Sequence, residues 1–372
     1  MELLKLIEDW RGFAALSEIS KGEGYEQRLS GVVDLLSNAK GLPAHKHEYI
    51  MREALTTSDF PYLFGDVLDR QVLASYKAVD PVWRQFVKMG TVPRIYPQIG
   101  GYRFAITGGD QYLAEVAEKG EYLASERSET RYPVYVRKYG RQFDISWEAL
   151  INDDLGALKD TPERFARAAV RTEHRLVSGT YVADLVGSTG LYTNAANRGA
   201  LALTIANLQD TVEAMAAFLD ANGEPIMNRP KYLVVGPGLE FTARQILTST
   251  LKMWVEGTGA APTAWPTTNV ISQYGLQLVI DPYIPIYAPN AVLSWFLFAD
   301  PKDIAAMECD HLAGHERPEI CMKASDKVSI GGGDIGPMTG DFATDNVFYR
   351  VRDIFGCNRL DWRATYGQLT NA

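Results

Sequence analysis

Apolar residues in the first sixty positions recur every three or four residues, as they do along one face of a helix. One such stripe lies within residues 3–14 and a second within residues 25–36, with Gly22 and Gly24 between them. Neither segment offers enough apolar surface to fold alone. We therefore predict an N-terminal arm at residues 1–60, which either forms a helical layer of the main domain or reaches a neighbouring subunit.

The periodicity changes after a second helical region at residues 61–92. Beyond it glycines and prolines are frequent and the helical spacing is lost, whereas residues 132–145 alternate and are rich in Val, Tyr and Phe, which is typical of strands. The segment has too few large aliphatic residues to build a core. It predicts an extended β-hairpin loop at residues 93–146, although an active-site lid or an Ω-loop would have the same texture.

A long helix is predicted after the β-rich segment. Thr161 is a suitable N-cap and Pro162 a suitable first helical residue, and the apolar spacing continues to about Val186. At 1.5 Å per residue such a helix is roughly 40 Å long. That length is unusual for a compact domain, so we expect the helix to act as a spine.

Helix and strand patterns alternate between residues 201 and 322, which is typical of an α/β domain. A helix is predicted over residues 239–254 and a loop rich in Gly, Pro and Thr over residues 257–269. Alternation across residues 341–366 predicts long closing strands. The buried central strands are predicted from short, nearly continuous apolar runs at residues 231–235, 277–280 and 294–299.

Composition narrows the class of protein. The chain has 372 residues, 46% of them hydrophobic and 22% charged, with a formal net charge of −9. The acidic balance argues against a sequence-independent grip on nucleic acid, although it allows a protein that encloses nucleic acid. The three cysteines cannot form a disulfide framework and suit a reducing cytoplasm. No apolar run is long enough to span a membrane, and we expect no signal peptide.

Two glycine-rich segments have part of the pattern of a nucleotide-binding loop. Residues 331–336 satisfy the glycine spacing of a dinucleotide loop, but Pro337 follows, and the helix that would meet a pyrophosphate cannot begin there. Gly236-Pro237-Gly238 joins a predicted strand to a predicted helix, yet it lacks the lysine and hydroxyl residue of a phosphate loop. We expect turns at both places.

Four residues are zinc ligands by type: Cys309, His311, His315 and Cys321. Their spacing matches none of the usual structural sites, and no common hydrolase or metalloprotease motif is present. We therefore expect no catalytic residues, no cofactor and no metal. Because catalytic residues often lie far apart in a sequence, an α/β enzyme with a β-ribbon lid stays as an alternative.

Three segments, together with the order of the predicted elements, carry a family resemblance. The closest likeness lies within residues 118–158, above all in residues 139–146 and in Asn152-Asp153-Asp154. Residues 54–61 and 348–366 supply two further likenesses. In these features the chain resembles the HK97-type major capsid proteins of tailed bacteriophages. In that family the segment like residues 118–158 forms the extended loop and runs into the spine helix. The segment like residues 54–61 leads into the first helix, and the segment like residues 348–366 closes the peripheral domain.

The resemblance implies an α+β protein with the HK97-like capsid fold. This fold comprises an N-terminal arm, an extended β-hairpin loop, a peripheral domain with a long spine helix, and an axial α/β domain. The implied boundaries are 1–60 for the arm, 61–92 for the helices leading into the peripheral domain, 93–146 for the extended loop, 147–200 and 323–372 for the peripheral domain, and 201–322 for the axial domain.

The resemblance also implies a function. Subunits of this family self-assemble as pentamers and hexamers into an icosahedral shell that encloses phage double-stranded DNA without sequence-specific binding. The implied location is the virion capsid, assembled in the cytoplasm of the bacterial host, with no membrane partner. Scaffolding, portal and decoration proteins are further implied partners. An encapsulin-type nanocompartment shell is the alternative within the same fold.

Seven closely spaced charged residues of the predicted loop are candidate intersubunit contacts, with solvated surface as the alternative interpretation: Glu118, Lys119, Glu121, Glu126, Arg127, Glu129 and Arg131. One branch of the family forms a lysine–asparagine crosslink between subunits. Lys119 or Lys138 and Asn346 or Asn358 have the right residue types, although the sequence alone does not align them with that site. Because the sequence begins with Met1, we expect no scaffolding segment that is removed by a protease.

Overall fold

A computed structural model of the chain describes residues 72–74, 76–77, 81–93, 101–106, 115–116, 118–119, 122, 129–146, 161–220, 223–256, 263–323, 325–327 and 340–370. The predicted N-terminal arm, residues 152–154 and the glycine-rich segment at 331–336 lie outside these residues. None of the described helices combines the length and hydrophobicity that a bilayer crossing requires.

The described α-helices are α1 (Thr161–Gly187), α2 (Ile205–Ala216), α3 (Glu240–Thr248), α4 (Ile271–Tyr274) and α5 (Ile284–Tyr287). The described strands are β1 (Lys88–Val92), β2 (Gly101–Ile106), β3 (Glu129–Val134), β4 (Arg137–Ile145), β5 (Arg198–Gly199), β6 (Pro230–Val235), β7 (Leu251–Glu256), β8 (Thr263–Thr268), β9 (Gln277–Ile280), β10 (Trp295–Ala299), β11 (Met307–Leu312), β12 (Glu319–Met322), β13 (Val347–Arg359) and β14 (Thr365–Gln368). Single 3₁₀ turns lie between them, at Val82–Gln85, Gly190–Tyr192, Ala195–Asn197, Pro237–Leu239 and Trp362–Ala364. The mixture of helix and sheet confirms the predicted α+β class.

The chain divides into two compact units, and it passes between them within α1 and within β13. The first unit takes residues 138–171 and 315–354 together with described positions before residue 80. The second takes residues 80–137, 172–314 and 355–372. The two units do not test the domain boundaries that the resemblance implies. Those boundaries stay predictions.

The second unit is built on a sheet with strand order β5-β14-β10-β6-β9. All five residues of β10 are buried, since β10 lies in the middle of the sheet and its side chains are covered on both faces. Tyr181 of α1 packs edge-on against Phe296 and Phe298 of β10, with ring centroids 4.8 and 5.5 Å apart. Phe86 completes this aromatic cluster at 4.7 Å from Phe298. The spine helix is therefore held on the sheet by aromatic side chains.

The first unit has a smaller core around the start of α1. Its buried members come from the helical residues 72–74 and 76–77 and from α1, and they are Val72, Tyr76, Ala166, Ala169 and Val170. Phe143 of β4 stacks between Phe165 of α1 and Tyr349 of β13, with ring centroids 5.0 and 5.2 Å apart. Gly140 lets β4 approach β13 closely, because a Cβ atom there would lie 2.6 Å from the carbonyl oxygen of Val351.

Several predicted elements are confirmed with nearly the predicted bounds. The spine helix begins at Thr161 and ends at Gly187. The strand predicted at residues 277–280 has those bounds, and the runs at 231–235 and 294–299 each differ by one residue at the start. Of the strand residues predicted at 132–145, residues 132–134 end β3 and residues 137–145 form β4. The closing strands are β13 and β14.

Three predictions of secondary structure are wrong. The helix predicted over residues 239–254 stops at Thr248, because Ser249 is extended and the β-prone segment after it forms β7. Part of the loop predicted at 257–269 is β8, which pairs with β7. Within the helical region predicted at residues 61–92, Val82–Gln85 form only a single 3₁₀ turn and Lys88–Val92 form β1, because the backbone there pairs with β11 instead of continuing a helix.

Candidate assembly surface

The β2–β3 ribbon is a two-stranded antiparallel sheet in the second unit. Its register runs from Gly101 opposite Val134 to Ile106 opposite Glu129. Such a ribbon is marginally stable in water unless it packs on another surface. We therefore expect the ribbon to be stabilised by packing on a surface outside its own two strands.

The base of this ribbon is fixed to β13. The amide of Tyr135 donates to Asn358 Oδ1 at 3.2 Å, and Asn358 Nδ2 donates to the Tyr135 carbonyl oxygen at 3.1 Å. Val134 and Val136 on either side are fully buried. These two hydrogen bonds tie the backbone between β3 and β4 to Asn358 of β13.

The predicted charged contacts are only partly described. Glu118 and Lys119 are exposed and adjacent in a turn, where Lys119 has a φ of 62°. Arg131 is exposed on β3 opposite Phe104, and Glu129 begins β3. Glu118 and Lys119 form no described ion pair with Arg131. Glu121, Glu126 and Arg127 lie outside the described residues, so the role of the set as intersubunit contacts stays a prediction.

Three aromatic side chains are almost fully exposed, which the sequence analysis did not single out. Tyr122, Phe241 and Phe342 are 84%, 83% and 81% exposed. Exposed aromatic residues are enriched at protein interfaces, where they serve as anchors of the contact. These three side chains are therefore further candidates for contacts with other copies.

Phe342 is presented by a loop with many internal hydrogen bonds. Its amide donates to Asp326 Oδ1 at 2.8 Å, and the amide of Ala343 donates to Asp341 Oδ1 at 2.5 Å. Gly340 enters the loop with a φ of +78°, a conformation that favours glycine. The sequence signal that could have located this loop is the Gly-Asp and Asp-Asn pairs on either side of Phe342.

The second unit also contains a buried polar cluster centred on Asp281. Ser178 Oγ donates to Asp281 Oδ2 at 2.5 Å, the Tyr181 hydroxyl donates to the same oxygen, and His174 Nε2 lies 3.2 Å from Oδ1. Burial alone would raise the pKa of Asp281, but His174 and the two hydroxyl donors hold that pKa below its ordinary value. Asp281 and these three side chains are buried, and the backbone amide of Tyr283 also donates to Asp281 Oδ1 at 2.8 Å. The cluster therefore joins α1 to the segment after β9 and offers no open site for a substrate.

A second buried carboxylate fixes the end of the spine helix. Asp184 accepts a hydrogen bond from the Leu191 amide at 3.1 Å and from Arg359 Nη2 at 2.5 Å. Burial raises the pKa of Asp184, and the Leu191 amide and Arg359 oppose this rise in part. The ion pair ties the C-terminus of α1 to the end of β13, so it has a structural role.

The motifs considered from the sequence do not form chemical sites in the described part of the chain. Gly236 directly follows β6, and a 3₁₀ turn leads from it into α3, as expected for a tight strand-to-helix connection. Glu240 occupies the first turn of α3, which disfavours an anion there. His315 contacts Glu319 at 2.5 Å instead of a cysteine. Among the described residues no group of three or more His, Cys, Asp or Glu side chains is arranged to hold a metal ion.

The crosslink candidates occupy different environments. Lys119 and Lys138 are exposed. Asn358 is buried and its amide is used inside the subunit by Tyr135, whereas Asn346 is half-buried and donates to Asp144 at 2.9 Å. Crosslinking stays a prediction, with Asn346 the more accessible of the two asparagines.

Comparison with known proteins assigns the chain to a family. The phage capsid protein family matches residues 130–367, which is more than half of the chain. The chain belongs to this family. The sequence-based identification of a phage major capsid protein is thereby confirmed. A comparison with curated protein sequences gives no match.

Solved structures similar to this capsid protein include phage structures, a virus-like particle and an encapsulin complex. A structure from Gordonia phage Cozz is 14% identical, with 78% of this chain and 86% of that chain covered and a TM-score of 0.45. A virus-like particle from Pyrococcus furiosus is 12% identical, with 82% and 99% covered and a TM-score of 0.42. The holo-SrpI encapsulin complex from Synechococcus elongatus PCC 7942 is 11% identical, with 79% and 88% covered and a TM-score of 0.42.

Proposed function

We propose that this major capsid protein assembles as pentamers and hexamers into an icosahedral shell around phage double-stranded DNA. The observation that carries the proposal is the β2–β3 ribbon, a two-stranded sheet whose stability requires a surface to pack on. In a shell that surface belongs to an adjacent copy. Exposed Tyr122, Phe241 and Phe342 supply apolar contacts of the kind that interfaces use.

The charge of the capsid protein supports enclosure of DNA without binding to its sequence. A formal net charge of −9 per subunit, repeated over a shell, repels the phosphate backbone. An inner wall of this charge leaves packaged DNA free to move. Recognition of the phage genome then falls to other components of the particle.

The proposed role is structural and not enzymatic. The buried carboxylates Asp281 and Asp184 are saturated by donors that join α1 to neighbouring elements, and neither is presented to a substrate. We propose that the protein is assembled in the cytoplasm of a bacterial host and resides in the virion. Scaffolding, portal and decoration proteins are its proposed partners besides other copies of itself.

The test of the shell is direct observation of the assembled protein. The chain would be expressed alone, separated by size-exclusion chromatography and imaged by negative-stain electron microscopy. Hollow particles or rings of five and six subunits are expected. A uniform dimer or tetramer that does not grow with concentration, even when phage scaffolding protein is co-expressed, would contradict the proposal and favour an enzyme. Shells that carry a cargo enzyme and no DNA in the native host would favour a nanocompartment.

The proposed charged contacts need a separate test. Glu118→Lys reverses a charge in the ribbon turn, and Glu213→Lys makes the same change at an exposed position of α2 outside the ribbon. An exposed ion pair contributes about 0.2–1 kcal/mol. Because every subunit would lose the pair, we expect E118K to raise the protein concentration needed for assembly several-fold and E213K to leave it unchanged. Equal effects of the two variants would show that the ribbon charges are ordinary solvated surface.

A further inference from the structure

Two of the three cysteines face each other across neighbouring strands of the second unit. Cys309 of β11 is the direct partner of Cys357 of β13 in their antiparallel register, and the two Sγ atoms are 2.8 Å apart. Direct partners in an antiparallel pair have Cα atoms about 4.5 or 5.5 Å apart. Both values lie within the range of about 4.4–6.8 Å that a disulfide requires. The backbone is therefore already placed for a covalent bond between these residues.

The two thiols differ in environment. Cys309 is fully buried, and its S–H group donates to Cys357 Sγ. Burial, together with Cys357 and the nearby carboxylates of Asp310 and Glu173, raises the pKa of the Cys309 thiol well above its ordinary value. Cys357 is only half-buried. Because Cys357 is the more exposed of the two residues, its sulfur is the one that a reagent from solution meets first.

We propose that Cys309 and Cys357 form a thiol–disulfide site that closes to a cross-strand disulfide when the protein meets a small-molecule disulfide. The Cys357 thiolate attacks one sulfur of the reagent, the S–S bond of the reagent breaks, and one small thiol leaves. Cys309 then loses its proton and attacks Cys357 Sγ, and the second small thiol leaves. The two protein thiols are oxidised by two electrons, and one molecule of the reagent is reduced to two thiols.

The compartment decides the state of the site. In a reducing cytoplasm both cysteines stay as thiols, which is their form in this structure. Outside the cell the pair is oxidised to the disulfide. The bond closes a loop between positions 48 apart in sequence. A crosslink over such a loop restricts the unfolded chain and so stabilises β11 against β13. The site would thus strengthen the subunit after release without any change of fold. This inference does not depend on shell assembly.

The test uses the native full-length protein and oxidised glutathione. After exposure, the protein is denatured in a thiol-alkylating reagent and mapped by peptide mass spectrometry. We expect one alkylated residue, Cys321, and one linked peptide pair joining Cys309 to Cys357, with a mass loss of about 2 Da per chain. Cys321 lies on β12 opposite Arg350, so it has no cysteine partner across the sheet. It is the internal control.

Two variants sharpen the result. C321S is expected to give the same linked pair and the same rise in melting temperature on oxidation as the wild type. C357S is expected to show no such rise and to keep Cys309 alkylatable. The proposal is overturned if native wild-type protein keeps all three thiols while a urea-unfolded sample in the same reagent loses them. A stable glutathione adduct on Cys357, or a disulfide that links two chains, would overturn it equally.

Discussion

Asp353 of β13 offers a test of the energetics of the first unit. Its side chain is 4% exposed, and neither carboxyl oxygen makes a well-formed hydrogen bond to a described residue. Burial raises the pKa of Asp353 to about 6, and the Ile354 amide opposes the rise only in part. The folded protein therefore favours the neutral carboxyl. Above pH 6 the chain must keep an unpaired charge in its interior.

The sign and size of the effect follow from this pKa. A group whose pKa is raised on folding contributes fully to stability below its unfolded pKa, here 3.8, and loses that contribution as the pH rises through about 6. A difference of about two pH units corresponds to about 3 kcal/mol. Asp353→Asn resembles the neutral acid in shape and charge. We therefore expect the substitution to be nearly neutral at pH 4 and to stabilise the subunit by about 3 kcal/mol at pH 8.

The assay is urea unfolding of the unassembled subunit at pH 4, 6 and 8, followed by tryptophan fluorescence. Asp300→Asn is the matched control, because the hydrogen bond from Lys231 at 2.5 Å lowers the pKa of Asp300. This control should be only slightly destabilising at pH 8, since the ion pair is exposed to solvent. A D353N effect that does not change with pH, or a loss of stability at pH 8, would refute the reasoning.

Three further substitutions test separate features. Gly140→Ala should lower the free energy of unfolding by about 1–3 kcal/mol in denaturant, because the new Cβ would crowd the Val351 carbonyl oxygen. Gly238→Ala is the control: its Cβ would meet nothing closer than 3.8 Å, so it should change that free energy by less than about 0.5 kcal/mol. Asp281→Ala removes the acceptor of the buried Ser178 and Tyr181 hydroxyls and of the Tyr283 amide, and it should cost about 3–5 kcal/mol, measured as a lower melting temperature. A loss below about 1 kcal/mol would contradict the role given to the cluster. Phe342→Ser should leave subunit unfolding unchanged and lower the yield of shells in electron micrographs; unchanged yield would remove this side chain from the candidate contacts.

The spine helix and the central strands could be predicted because their signals are local. Thr161 and Pro162 mark a helix start by their own conformational preferences, and the helix that begins there is 27 residues long. Strand β9 is a short apolar run with turns on either side, and its bounds follow from that pattern alone. In both cases neighbouring residues in the sequence decide the structure.

The β7–β8 hairpin could not be predicted because its determinants are distant. Leu239, Ala243 and Ile246 have the spacing of a helix, and nothing in that spacing says where the helix ends. The end is set by Asn269, whose side-chain amide donates to the carbonyl oxygens of Ile246 at 2.7 Å and Ser249 at 2.9 Å. A residue that follows β8 therefore caps the helix that precedes β7. This contact joins residues that are far apart in the sequence, so the local spacing of apolar residues does not reveal it.

The assembly surface is harder to predict than the fold for a related reason. Residues 139–146 supported the resemblance, and the structure gives three of them internal tasks: Gly140 allows the approach of β4 to β13, Phe143 stacks between two rings, and Asp144 accepts from Asn346. Each of these contacts is made within one subunit and requires a particular type of residue. The sequence shows that residue type directly. For an exposed side chain such as Phe342 the proposed partner lies on another copy, and within the isolated chain Phe342 is an apolar residue exposed to water. The candidates for shell contacts are therefore the apolar side chains whose exposure the isolated subunit does not explain.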